Sequence, residues 1–244
     1  MLRAEDVSVR FGGVHAVERL SLNCPAGRVT GLIGPNGAGK TTLFNVLTGL
    51  QRPTAGRVVL DDHDVTRLSA QRRARAGLAR TFQRLEVFGS LTVRENVLLA
   101  AELQPGLRSA AAAALTDELV DRVGLAAVSD SPAGVLPTGL CRLLELARAL
   151  ATSPTTLLLD EPGSGLDETE TRALGDLLLS LAGAGTAVLL VEHDVELVMR
   201  VCEHVYVLDF GELLCEGTPT EVQADEAVQT AYLGAELTST GARS

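Results

Sequence analysis

The chain has no tryptophan, and aromatic residues make up only 3% of its 244 positions. Its core must therefore be assembled from leucine, valine and alanine, and a hydrophobic content of 46% is enough for a sizeable one. Basic excess is missing too: 21 Lys and Arg face 31 Asp and Glu, for a formal net charge of −10. That balance argues against general nucleic-acid binding, which needs a basic surface. Cysteine pairing signals are lacking. Cys24, Cys141, Cys202 and Cys215 are scattered and form no CxxC, so neither a zinc site nor a disulfide framework is suggested, and reduced thiols are expected. Long apolar runs are absent as well. The richest region, 174–191, is broken by Asp176, Ser180, Gly183, Gly185 and Thr186 and reads as helix, turn and strand rather than a membrane span. Residues 1–10 are charged throughout, with no apolar signal core. The expectation is a cytoplasmic chain that reaches a membrane only if a partner holds it there. The length fits one large α/β domain.

What is present is a phosphate-binding signature. Gly34-Pro35-Asn36-Gly37-Ala38-Gly39-Lys40-Thr41-Thr42 has the spacing of a Gly, four residues, then Gly-Lys-Thr. It follows an apolar run over 29–33 and precedes a helix predicted for 41–48. Glycines let the backbone wrap a polyphosphate and turn several N–H groups inward, and the new helix aims its positive end at the same anion. Lys40 would neutralise the β- and γ-phosphates of ATP, and the Thr41 hydroxyl would hold Mg²⁺. A guanine-reading Asn-Lys-x-Asp is absent, which argues against a GTPase switch.

Alternation of short strands and helices surrounds this loop. Strands are expected over 2–9, 19–24, 29–33, 56–60 and 78–81, with a basic helix over 69–76 carrying Arg72, Arg73 and Arg75. Residues 84–152 read as a helical insert, with helices over 92–103 and 109–123. The α/β alternation resumes with strands over 156–159, 187–191, 204–208 and 212–215 and helices over 168–181 and 195–202. Residues 1–235 form one expected domain, and 236–244 a flexible tail.

Three further stretches carry chemistry. Leu157-Leu158-Leu159-Asp160-Glu161-Pro162 delivers two carboxylates to the C-terminal end of a buried strand, where ligands bind an open parallel sheet. Asp160 is placed to reach Mg²⁺, and Glu161 to orient the attacking water or accept its proton. His193, in Val191-Glu192-His193-Asp194, ends the next strand and faces the same edge. Leu136-Pro137-Thr138-Gly139-Leu140-Cys141-Arg142 opens a helix whose free N–H groups suit a second anion. One nucleotide does not need both helix starts, so the surplus points to a site shared between two subunits.

These residues, in this order, resemble the ATP-binding-cassette (ABC) ATPases over essentially the whole chain. The closer likeness is to the ATPase subunits of branched-chain amino-acid importers, through Phe11-Gly12-Gly13, Arg80-Thr81-Phe82-Gln83, the stretch 91–97, Glu216-Gly217-Thr218-Pro219 and Ala231-Tyr232-Leu233-Gly234. The resemblance implies a P-loop NTPase fold: a RecA-like parallel sheet, an N-terminal antiparallel β subdomain and a helical subdomain. It implies that Phe11 stacks on adenine, that Gln83 touches Mg²⁺ or the lytic water, and that Leu136, Pro137, Thr138, Gly139 and Asp167 meet the partner subunit's nucleotide. The loop after Gln83, with Arg84, Leu85, Val87 and Phe88, would receive a short permease helix. Partners implied are a second ATPase subunit, in a homo- or heterodimer, transmembrane permease subunits and, indirectly, a periplasmic or lipoprotein solute-binding protein. Urea or amide importers, lipopolysaccharide exporters and non-transport ABC ATPases are the alternatives. This chain departs from the family's usual Leu-Ser-Gly-Gly-Gln at Pro137, Thr138 and Leu140. It thereby lacks a serine hydroxyl for the γ-phosphate, a loss of roughly 1.5–3 kcal/mol for a hydrogen bond to a charged group.

Overall fold

Burial patterns along the strands divide the fold into two sheets. In the computed structural model, which describes residues 1–83, 85–104 and 106–231, β1 (Leu2–Phe11) and β2 (Val14–Cys24) bury every second side chain or nearly so. β3 (Val29–Ile33), β7 (Thr156–Asp160) and β8 (Ala187–Val191) are buried at every position. The first pattern suits an antiparallel sheet with one wet face, the second a parallel sheet covered on both faces. Accordingly β1, β2, β4 (Ala55–Leu60) and β5 (His63–Asp64) form an antiparallel sheet in the order β2-β1-β4-β5. The second sheet runs β10-β9-β3-β8-β7-β6, with β6 at Leu78–Arg80, β9 at His204–Asp209 and β10 at Glu212–Gly217. Its strands are parallel except β10, which pairs antiparallel with β9, so the sheet is mixed rather than purely parallel.

One face of this sheet meets the antiparallel sheet. There Leu158 and Leu189 pack with Leu43, Phe44 and Leu47 of α1 (Lys40–Thr48) and with Leu2, Leu20 and Val58. The opposite face carries Leu157, Leu159 and Leu190 against α5 (Thr138–Leu150), α6 (Glu168–Gly183) and α7 (Val195–Val201). Between β6 and β7 the chain also forms α3 (Val93–Glu102), α4 (Ser109–Arg122) and two 3₁₀ turns at 126–128 and 133–135. Reciprocal capping boxes, Thr92 with Glu95 and Asp167 with Glu170, start α3 and α6 where the sequence changes from turn to apolar periodicity. After β10 come α8 (Pro219–Ala224) and a further helical stretch over 226–231, where the described residues end. The stretch 232–234 used in the family likeness and the expected tail lie outside the described residues, as do Arg84 and Pro105.

The basic helix α2 (Ala70–Arg75) carries one cation whose burial the sequence does not mark. Arg73 is fully buried. Its Nη1 donates to Val46 O and Leu47 O, both at 2.7 Å, and Nη2 to Thr66 O at 3.0 Å. A guanidinium here satisfies carbonyls at the end of α1, where the helix dipole also favours a cation. Burial pulls its pKa down to about 10, so it remains charged at neutral pH. Replacing Arg73 by Met leaves Leu47 O and Thr66 O without this donor, while Val46 O keeps the Gly49 N–H, and is expected to cost about 3 kcal/mol of stability. Urea unfolding with an unchanged m-value measures this; a loss below about 1 kcal/mol would contradict the assignment.

Candidate functional site: a nucleotide cleft

Strands β3, β8 and β7 are neighbours in the sheet, so their C-terminal ends open onto one cleft. From the end of β3 the phosphate loop turns at Gly34 (φ 151°), where a Cβ would meet Leu208 O at 2.2 Å. It closes at Gly39 (φ 103°), where a Cβ would lie 2.5 Å from Ala16 O. Those close approaches admit only glycine. Lys40, the single lysine of the chain, folds over the loop, donating to Gly34 O at 2.5 Å and Pro35 O at 2.9 Å. Burial pulls its pKa down, while Glu161 and Asp160 push it back up. Asn36, Gly37, Ala38, Thr41 and Thr42 line the cleft with it, facing Gln83, Asp160, Glu161 and His193.

Asp160 has a partner that sequence reading passed over. Its Oδ2 accepts from Arg80 Nη2 at 3.2 Å, in a pair whose side chains are only 7% and 4% exposed. Arg80 also donates to Asn45 Oδ1 at 2.7 Å and lies 5.4 and 4.9 Å from the Phe44 and Phe82 ring centres. Burial raises the Asp160 pKa, and Arg80 lowers it. Asp160 Oδ1 has no hydrogen-bond partner among the described residues. That oxygen, the Thr41 hydroxyl and Gln83 share the cleft, an all-oxygen donor set that fits Mg²⁺ held chiefly by nucleotide phosphates. No cluster of three or more His, Cys, Asp or Glu that could hold a metal exists among the described residues.

Glu161 adopts φ 53°, a left-handed conformation uncommon for a residue with a Cβ. Its N–H donates to Val191 O at 2.9 Å, and its carbonyl accepts from Ser164 N at 3.2 Å, which holds the turn. The carboxylate Oε1 lies 2.8 Å from His193 Nε2, so an ionised Glu161 receives that N–H. Beside them Glu192, also passed over in the sequence, is buried and accepts from Gly163 N at 2.6 Å and His193 N at 3.1 Å. Burial raises its pKa. Its carboxylate ties the turn after β7 to the end of β8.

Not every expected residue joins the cleft. Phe11 is exposed at the β1–β2 hairpin and does not line it; Ala16 of β2 does. Leu136, Pro137, Thr138 and Gly139 start α5 away from the cleft, and Asp167 caps α6, its Oδ1 accepting from Glu170 N at 2.8 Å. Gly139 is buried, because a Cβ there would meet Gly165 O at 2.5 Å. Cys141 N is the first amide of α5 to find a helical carbonyl, Pro137 O at 3.1 Å, and the three amides before it have no partner among the described residues.

Helix α5 instead grips the loop that carries Gln83. Arg142 donates through Nη1 to Phe82 O and through Nη2 to Gln83 O. Glu145 Oε1 accepts from Glu86 N at 2.7 Å, and Arg148 donates to Glu86 O while stacking 4.7 Å from Phe88. The expected docking loop is thereby corrected in part. Val87 packs onto the core, and the open apolar groove runs beside it, lined by Leu50, Ala70, Ala74, Phe82, Leu103 and Ala149.

A phosphate loop, an acidic pair and a histidine on adjoining strand ends of a parallel sheet define a nucleotide-hydrolysing P-loop ATPase. The family "ABC transporter" matches residues 17–164, and "Branched-chain amino acid ATP-binding cassette transporter" matches residues 212–238. The high-affinity branched-chain amino acid transport ATP-binding protein LivG of Salmonella typhimurium is 39% identical over 249 residues, covering 96% of this chain and 98% of that protein. The lipopolysaccharide export system ATP-binding protein LptB of Escherichia coli (strain K12) is 35% identical over 233 residues, covering 96% and 97%. Among solved structures, a dimeric ATP-binding cassette in a post-hydrolysis state bound to ADP and Pi superposes with TM-score 0.82 at 25% identity, over 90% of this chain and 99% of that one. The chain belongs to the ABC transporter ATP-binding family and is an ATP-binding, ATP-hydrolysing subunit. No helix among the described residues is long and apolar enough to cross a membrane.

The grip of α5 on the Gln83 loop has a measurable consequence. Arg142→Ala is expected to lower ATP turnover about tenfold or more through misplacement of Gln83, with nucleotide affinity within about twofold of the parent. Arg142→Lys, which lacks the fork for two carbonyls, should not restore it. Single-turnover kinetics beside a nucleotide titration separate these, and unaltered turnover would count against the link.

Proposed function

We propose that this chain is the ATPase subunit that powers uptake of branched-chain amino acids or a related small polar solute. The observation that carries the catalytic half is the Glu161–His193 contact of 2.8 Å at the mouth of the cleft that holds Lys40 and Asp160. The backbone amides of 36–42 and Lys40 cradle the phosphates of ATP, with Lys40 exchanging its loop carbonyls for phosphate oxygens. Thr41, Asp160 and Gln83 hold Mg²⁺, which when bound supplies positive charge against the phosphate oxygens. Phe11 packs on the adenine. Glu161, held by His193, aligns a water with the γ-phosphorus and takes its proton, while the bond to the leaving ADP oxygen breaks in line. The partner subunit in the dimer closes the cleft with the amides opening its α5 and with its Asp167. Pro137 has no N–H or hydroxyl to offer there, so that contact rests on backbone amides and the helix dipole.

The groove beside the Gln83 loop receives a cytoplasmic permease helix, which places the subunit on the inner face of the membrane. Its apolar lining and its link to Gln83 through Arg142 support this reading. The match over 212–238 and the likeness to LivG support amino-acid import, with the solute-binding protein acting through the permease. The similarity to LptB favours one other reading, lipopolysaccharide export. Purification from the native membrane, with identification of the co-purifying permease, decides between them.

Glu161→Gln should keep ATP affinity, accumulate an ATP-bound dimer and lose roughly 10²-fold or more in turnover. Lys40→Ala should lose nucleotide binding. Near-parental turnover in the first variant, or retained affinity in the second, would remove these residues from their roles.

A further inference from the structure

One charge pattern is left unused by nucleotide binding. Residues 50–84 contain eight arginines and three aspartates, a net charge of +5, which leaves −15 on the rest of the chain. Arg73 and Arg80 are turned inward to carbonyls and to Asp160. Arg52, Arg57, Arg67, Arg72 and Arg75 are exposed. Three of them, Arg52, Arg57 and Arg67, surround one open hollow with Asp64, and Arg57 is paired with Glu5 at 2.5 Å. Among the described residues Arg52, Arg67, Arg72 and Arg75 have no carboxylate within 4.0 Å. Arg72 and Arg75 adjoin the apolar groove, because α2 supplies Ala70 and Ala74 to its lining and these two arginines to solvent.

We propose that this arginine face lies against the anionic phospholipid headgroups of the cytoplasmic leaflet and turns the groove toward the permease. The inference rests on the membrane-transport reading above. Three charged surfaces compete for such a face. Nucleic acid has no place in the membrane-transport reading on which this inference rests, and the chain as a whole lacks the basic excess of a nucleic-acid binder. A permease's short cytoplasmic loops carry excess Lys and Arg, and would be repelled. The anionic leaflet is negative, attracts basic clusters and repels the rest of this subunit, so the asymmetry acts as an orienting torque. Arginine suits the role because its guanidinium binds phosphate in a bidentate manner.

The test uses the full chain without permease. In low salt, about 50 mM, it should co-sediment with vesicles of phosphatidylcholine containing about one third phosphatidylglycerol, and not with phosphatidylcholine alone. Raising salt to about 0.5 M should release it. The combined variant Arg52→Gln, Arg67→Gln, Arg72→Gln, Arg75→Gln should bind anionic vesicles at least about tenfold more weakly, with melting temperature and nucleotide affinity unchanged. A second variant, Arg108→Gln with Arg122→Gln on the helical segment, should bind like the parent. No binding at low salt, or equal binding by the quadruple variant, overturns the proposal. Arginine-dependent binding that appears only when permease is in the vesicles overturns it in favour of an acidic permease surface. The transport reading fails on a different measurement: no permease stimulates the ATPase, whatever the vesicles show.

Discussion

Everything chemical in this subunit depends on the register of three parallel strands. Neighbouring strands lie about 4.8 Å apart, so the ends of β3, β8 and β7 span about 10 Å, the scale of a triphosphate. Asp160 is paired across with Val191, and Glu161 N bonds Val191 O, so the acidic pair and the residues just beyond β8 leave the sheet at the same level. A slip of one residue would move Glu161 away from His193 and turn alternate side chains to the other face. The fully apolar strands resist such a slip because both faces are packed: Leu158 and Leu189 on one side, Leu157, Leu159 and Leu190 on the other. Core packing and catalytic geometry are thus a single constraint.

Buried charge follows a second rule. Apart from Lys40, the interior cations are arginines, each spread over several acceptors: Arg73 over three carbonyls, Arg142 over two carbonyls and Glu145, Arg80 over Asn45 and Asp160. A planar fork distributes its donors over fixed backbone oxygens better than an ammonium does, although the Nε atoms of Arg73, Arg142 and Arg148 find no partner among the described residues. The lone lysine sits where the charge must change partners, from Gly34 and Pro35 carbonyls to phosphate. A compact ammonium on a flexible stem suits that exchange.

Most of the architecture was legible because it is written in local pattern. The phosphate loop and the apolar strands are read from contiguous residues, and their order placed Lys40, Asp160, Glu161 and His193 on one edge. What escaped was long-range. Nothing near Arg80 announces that it will pair with Asp160, eighty residues away, or that Arg142 will bind the carbonyls of Phe82 and Gln83. Such pairings exist only after β6 joins β7 and α5 packs beneath the loop. The burial of Arg73 escaped for the same reason, since two of its three carbonyl partners lie in α1. The two-residue β5 and the 3₁₀ turns carry too few residues to show a period, and the antiparallel β10 follows from a tight Phe210-Gly211 turn. A signal for Arg142, Glu145 and Arg148 was present in their spacing of three along α5, which places charges on a face otherwise apolar.

On the proposed reading the cleft also explains why one copy is insufficient. Its walls supply donors from the loop, the carboxylates and His193, all from one side of the sheet edge, while the unpaired amides opening α5 face elsewhere. A second subunit with its own charge of −10 does not approach the first without help, because like charges repel across a Debye length of about 10 Å. A ligand that touches both surfaces shifts that equilibrium by mass action, stabilising only the closed pair. On the proposed reading ATP is that ligand, and cleavage of its γ-phosphate removes the contact shared with the partner's α5. Repulsion then favours opening. On that reading the negative surface, no help to folding, becomes the restoring force of the cycle, while the exposed Arg52, Arg67, Arg72 and Arg75 take no part in it.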